Sequence, residues 1–115
     1  MSQLNIARKE VGEFIVFKLK GALIVSTMLS LKQEVSQLLE KGLAYIAFDL
    51  GGIEVIDSSG LGLLSNIKRR ADEKNGHCVL MSLPPIVADG LQQTGLIENL
   101  VIVKNEAEFR ESFIL

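Results

Sequence analysis

The chain has 115 residues, 48% of them apolar and 23% charged, which supports a packed core and excludes a disordered segment. That length fits one domain, residues 1–115, and leaves too little chain for two comfortable cores. A formal net charge of −2 offers no basic face to a phosphodiester backbone, so nucleic acid is not expected as a direct partner. Cys78 is the only cysteine and cannot form an internal disulfide, and Met1-Ser2-Gln3 lacks a charged region followed by an apolar signal core. Apolar runs such as residues 23–25 and 79–81 fall far short of the ~20 residues of a membrane helix. The expected setting is soluble, reducing and cytoplasmic.

Leu4 and Ile6 open a first β-like segment. Phe14 with Val16, or Ile15 with Phe17 and Leu19, gives a second, and Lys9-Glu10-Val11-Gly12 reads as the hairpin connection between them. Gly21 is expected to end the second strand. Leu31, Val35, Leu38 and Leu39 then form a helical stripe that stops at Lys41-Gly42. Its start is open by a turn: Ser26 or Thr27 can cap it, and Ser30 with Gln33 forms a competing capping box. Residues 44–50 read as a buried strand whose apolar run stops at Asp49, with Gly51-Gly52 as the turn out of it. Leu61, Leu64, Ile67 and Ala71 repeat at helical spacing, and Asn75-Gly76 closes that helix. Residues 78–83 form a further strand, after which Pro84-Pro85 starts a helix through Ile86, Val87 and Leu91 that stops at Thr94-Gly95. Residues 100–103 give a last strand. Asn105-Glu106-Ala107-Glu108 is a cap with an acidic first turn, leading a helix whose Phe109, Phe113 and Ile114 fold back on the core. The order β-β-α-β-α-β-α-β-α predicts an α/β mixed sheet with an N-terminal hairpin followed by alternating helices and strands.

Asp57-Ser58-Ser59 lies where a loop delivers the chain into the helix of Leu61 and Leu64, and its short oxygen-bearing side chains suit a helix cap. First-turn N–H groups and the positive end of the helix dipole also accommodate an anion, so a phosphate there need not disrupt the helix. Spacing alone points to a capping serine. However, Ile56-Asp57-Ser58-Ser59-Gly60-Leu61-Gly62 resembles the signature of anti-sigma factor antagonists, which are single STAS domains. The resemblance extends along nearly the whole chain, and the STAS element order is the one derived above.

The resemblance implies a protein switch rather than an enzyme, with no cofactor of its own. Unphosphorylated, such a domain binds an anti-sigma factor serine kinase and releases a sigma factor; the kinase, which holds the ATP, phosphorylates the hydroxyl matching Ser58, and a serine phosphatase resets it. Ser59 is the alternative acceptor or a second cap. Asp57 would fix the loop and cap the helix. Asp57, Ser58, Ser59, Gly60, Leu61 and Gly62 would contact the partner, the two glycines admitting its backbone or packing against the sheet. Where the family commonly carries an acid after the glycine of the second strand, beside the phosphorylated turn, this chain has Ile24 in Gly21-Ala22-Leu23-Ile24-Val25. Ile24 either packs inward or enlarges an apolar partner site. The same departure leaves open a STAS scaffold or transporter-accessory subunit that binds without phosphorylation.

Enzymatic readings find less support. Gly60-Leu61-Gly62-Leu63-Leu64-Ser65 lacks the third glycine of a dinucleotide fingerprint, a long loop is expected between strand and helix, and no carboxylate closes the following strand to hold a ribose. Gly-x-Ser-x-Gly is missing, and His77, the only histidine, opens a strand as a surface imidazole. One histidine, one cysteine and scattered acids supply no metal cluster. A phosphoaspartate receiver would use Asp49 and Lys104, but the first strands are expected to end in Lys9 and Lys20 instead of magnesium-binding carboxylates. Lys68-Arg69-Arg70, followed by Asp72 and Glu73, reads as a solvated mixed-charge helix face.

Overall fold

In the computed structural model, which describes residues 2–115, both alternations of the second strand are satisfied at once. Met1, where the amino-terminal reading begins, lies outside these residues. Strand β1 (Leu4–Val11) turns back through Gly12-Glu13 into β2 (Phe14–Leu23) as an antiparallel pair. Phe14 and Val16 enter one core cluster, Phe17 and Leu19 another, and all four are buried because the sheet is covered on both sides. The hairpin connection is shorter than expected: pairing runs on through Lys9 and Glu10 until Gly12 supplies a φ of 58°. Lys9 and Lys20 therefore lie inside strands rather than at their ends. Nor does Gly21 end β2. At φ 103°, where a Cβ would stand 2.3 Å from the Gln3 carbonyl oxygen, glycine lets the strand continue to Leu23.

Three parallel strands, β3 (Tyr45–Ile56), β4 (His77–Met81) and β5 (Val101–Val103), complete a sheet of order β1-β2-β3-β4-β5. Helices α1 (Leu29–Glu40), α2 (Ser58–Glu73), α3 (Pro85–Gln93) and α4 (Glu106–Phe113) follow β2, β3, β4 and β5. This is the mixed α/β architecture expected from the element order. The stripes of α1 and α2 are buried as expected and share the larger cluster with Val87 and Leu91 of α3. Phe109 of α4 is buried in the second cluster, and Phe113 and Ile114 pack against it. A 3-10 turn at Leu96–Asn99 has no counterpart in the periodicity, four residues being too few to show one.

The largest departure is β3. Gly51-Gly52 is not a turn; the strand runs through it to Ile56, and pairing with β2 slips from Lys18↔Asp49 to Lys20↔Gly52, one extra residue on β3. Glycine serves a bulge here: a Cβ on Gly52 would lie 2.8 Å from the Leu19 carbonyl oxygen, while Asp49 Oδ1 accepts the Gly51 N–H at 3.0 Å. Asp49 is thus inside β3, not at its end. β4 stops at Met81 rather than Leu83, because Ser82 leaves the extended region at φ 58°. β5 begins one residue later than expected, at Val101.

Helix ends follow local chemistry except at α1. Its N-cap is Met28, with no side-chain bond, and Ser30 lies within the first turn. Thr27 instead closes the preceding loop, its Oγ1 donating to the Ala22 carbonyl at 2.7 Å and accepting the Ile24 N–H at 3.1 Å. The carboxyl end behaves as Lys41-Gly42 predicts: Gly42 has φ 81°, and the N–H groups of Gly42 and Leu43 reach the carbonyls of Leu39 and Leu38. Asn75 takes the left-handed position after α2, and Asn105 Oδ1 caps α4 by accepting the Glu108 N–H at 2.9 Å. Lys68 pairs with Asp72, and Arg69 with Glu73 at 3.2 Å, as a mixed-charge face should. Burial pushes the Cys78 thiol up to about 12, which leaves it protonated and unreactive. Among the described residues no helix is long and apolar enough to cross a membrane.

Candidate functional site

Because β3 extends to Ile56, a single residue separates strand from helix, not the long loop that the sequence suggests. Asp57 is extended, with φ −112° and ψ −178°, and it is the N-cap of α2. Its Oδ1 accepts the Gly60 N–H at 2.9 Å and its Oδ2 the Val25 N–H at 3.0 Å, so one carboxylate holds the helix start and the β2–α1 loop together. Partial burial pushes this carboxyl up, but the N–H groups of Val25, Gly60 and Ser59 outweigh that effect and hold it below the ordinary aspartate range.

A depressed folded-state pKa gives stability that is present above the unfolded value of 3.8 and is lost as pH falls through the folded one. Asp57→Ala removes the cap of α2 and its tie to Val25, and is expected to cost about 1 to 2 kcal/mol at pH 7 in urea unfolding. The gap to the wild type should narrow below pH ~4. A deficit independent of pH would assign the loss to packing instead.

Since Asp57 takes the cap, neither serine fills the capping role that spacing suggests. Ser58 is the first helical residue and is exposed; Ser59 follows it and is half-buried. Both stand in the first turn, at the positive end of the helix dipole. Gly60 and Leu61, expected among the partner contacts, are buried and take packing roles. A Cβ on Gly60 would stand 2.2 Å from the Leu23 carbonyl oxygen, and Leu61 lies against Gly90 of α3. Gly62 differs: it is exposed, with nothing near the position its Cβ would occupy. Both glycines lie inside a helix, so no phosphate-cradling loop exists between them.

Ile24 does stand beside the turn, since its neighbour Val25 donates to Asp57. It is half-buried and belongs to neither core cluster, so it is not the inward-packed residue of one reading. Val25 gave no signal in the sequence, because an apolar run reads as buried; yet it is exposed. His77 pairs with Tyr45 at the far end of β3 from Ser58, stacks on that ring at 5.4 Å, and cannot serve the serine as a base. Among the described residues no three His, Cys, Asp or Glu side chains converge as a metal site would need.

These elements define a small α/β domain with an exposed serine opening a helix directly after a strand. The family model of the STAS domain matches residues 5–109, and the chain belongs to that family. A candidate anti-sigma factor antagonist from Thermotoga maritima superposes with a TM-score of 0.84 at 26% identity, over 93% of this chain and 92% of its own. The anti-sigma factor antagonist SpoIIAA in its unphosphorylated form matches at TM-score 0.76 and 20% identity, over 96% and 100% of the two chains. The phosphorylated form of SpoIIAA, a Bacillus cell fate determinant, gives 0.76 and 21%, over 94% and 99%. At these identities the likeness to SpoIIAA is one of fold. The chain is thus a STAS domain that resembles anti-sigma factor antagonists.

Proposed function

We propose that this protein is an anti-sigma factor antagonist acting in the cytoplasm through a single STAS domain, residues 1–115. Unphosphorylated, it binds an anti-sigma factor serine kinase and frees a sigma factor; phosphorylation of Ser58 ends that binding, and a serine phosphatase restores it. The carrying observation is that Ser58 is exposed at the first position of α2 while Asp57 alone holds the cap, leaving the hydroxyl free of structural duty. Half-buried Ser59 is the second candidate. ATP and the catalytic groups belong to the kinase, so this chain is substrate and ligand rather than enzyme. Its partners are proteins, not nucleic acid or membrane.

A phosphate brings about −1.5 to −2 charge and its hydration shell into a surface the partner must desolvate, so the complex fails without refolding. Phosphate-affinity electrophoresis of the protein from its native cells is expected to show a retarded band that Ser58→Ala abolishes. A band that survives Ser58→Ala and disappears in Ser59→Ala moves the site by one residue. Absence of any such band under all growth conditions would favour the second reading, a constitutive STAS scaffold or transporter-accessory subunit. Ile24, apolar where the family commonly carries an acid, is the feature consistent with that reading.

A further inference from the structure

The outer edge of the sheet at β1 has no strand against it. β1 pairs only with β2, and Asn5, Ala7, Arg8, Lys9 and Glu10 along it are exposed. The phase of the β1–β2 ladder fixes which backbone groups face outward. The Ala22 N–H donates to the Gln3 carbonyl at 2.8 Å, so Gln3 is turned toward β2. Alternation along an antiparallel ladder then turns the N–H and C=O groups of Leu4, Ile6, Arg8 and Glu10 away from it. An exposed edge of this kind is a template for a further strand, whereas the opposite edge, β5, has only three residues.

A second copy of the same strand can add to this edge antiparallel about a two-fold axis. Outward backbone groups must meet outward groups, which allows only registers in which one residue faces its own copy at the axis. Centring on Ile6 or Ala7 sets Arg8 against an apolar side chain, Leu4 or Ile6; centring on Arg8 or Glu10 brings like charges together. Centring on Lys9 sets Arg8 of each copy against Glu10 of the other, with Ala7 against Val11 beyond them. That register alone is complementary in charge. Arg8 is already held over the Phe17 ring at 5.6 Å and by Glu34 at 3.1 Å, so it meets the facing carboxylate with little ordering cost. Glu10 has no ion-pair partner among the described residues. A lysine commonly guards an edge strand, but Lys9 is neutralised by Glu106 at 2.7 Å, and two such pairs at the axis form a ring of alternating charge.

We propose that β1 is a self-association surface: it pairs with β1 of a second copy, antiparallel and centred on Lys9, and joins two five-stranded sheets into one. Backbone bonds between Arg8 and Glu10 on either side of the axis hold the pair, and the Arg8–Glu10 ion pairs fix its register. The axis lies toward the hairpin end of β1, whereas Ser58 stands at the other end, where Gly60 meets Leu23 at the close of β2. Antiparallel pairing points the two Ser58 turns in opposite directions, so both stay open to partners. Self-association is therefore independent of the phosphorylation reading above.

Sedimentation velocity of the purified full-length protein from roughly 10 µM to 1 mM at low salt tests this, because so small an interface gives a weak, salt-sensitive dimer. The wild type is expected to pass from monomer to dimer over that range. Arg8→Glu sets carboxylate against carboxylate and Glu10→Arg sets guanidinium against guanidinium, so each variant alone should dimerise roughly tenfold or more weakly. An equimolar mixture of the two restores opposite charges at both facing positions and should dimerise like the wild type, which a folding defect cannot mimic. Glu10 is exposed and makes no ion pair, so Glu10→Arg should melt within about two degrees of the wild type. It decides the register by itself if Arg8→Glu, which loses Glu34, is unstable. Dimerisation of Glu10→Arg at the wild-type level, or a mixture of two folded variants that stays monomeric, would overturn the proposal. So would a wild type still monomeric at about 1 mM, which would leave the edge to a strand of another protein.

Discussion

Gly60→Ala is expected to cost about 3 kcal/mol, whereas Gly62→Ala, two residues along the same helix, should stabilise the protein by roughly 0.5 to 1 kcal/mol. The contrast comes from what each Cβ would meet. At Gly60 it would stand 2.2 Å from the Leu23 carbonyl oxygen and 2.9 Å from an Ile56 side-chain carbon, so α2 would have to lift off the end of β2. Backbone on one side and a short strand-to-helix junction on the other leave no cheap adjustment. At Gly62 nothing lies within 4 Å, and alanine simply removes backbone entropy from the unfolded chain. Urea unfolding of the two variants checks both signs. Equal destabilisation would show that α2 does not pack on Leu23 as described. Gly62→Ala has a second use: if a partner's backbone approaches this exposed position, phosphorylation of Ser58 should slow although the fold is firmer.

A negative charge at position 58 is expected to weaken the kinase complex by roughly 100-fold while leaving the domain folded. Ser58→Asp and the phosphorylated protein should behave alike in direction, and Ser58→Ala should bind within about threefold of the wild type because it adds no charge to desolvate. Stability should scarcely change. The Gly60 N–H is already taken by Asp57, but the first-turn positions and the dipole of α2 still favour an anion at Ser58, opposing repulsion from the Asp57 carboxylate. The melting temperature is therefore expected to fall by no more than a few degrees, roughly what ~1 kcal/mol produces in a domain of this size. Circular dichroism melts and kinase titrations on the same samples decide the matter. Loss of helicity, or a melting drop large enough to explain the lost affinity, would replace local repulsion with a conformational mechanism.

The element order, the buried stripes of α1 and α2, the stop signals at Gly42 and Asn75-Gly76 and the Asn105 cap are all legible in the sequence. Each rests on residues within about a turn of one another, where periodicity and capping chemistry operate. Asp57 as the cap of α2 belongs to the same local class, its partner Gly60 being three residues away. The readings that failed were those where one residue type serves two ends. Gly51-Gly52 suits a turn and a bulge equally, and only the pairing of β3 with β2 selects the bulge, which carries the strand to Ile56 and removes the expected loop. Thr27 could cap a helix or close a loop, and the carbonyl of Ala22 claims it for the loop. Tertiary structure alone decided which serine is exposed, that Gly60 and Leu61 turn inward, and that Val25, apolar in an apolar run, stands in solvent tied to a carboxylate 32 residues away. The physical reason is the same in each case: burial and hydrogen-bond partners of these residues come from chain segments that only the assembled sheet brings together, and no local pattern encodes them.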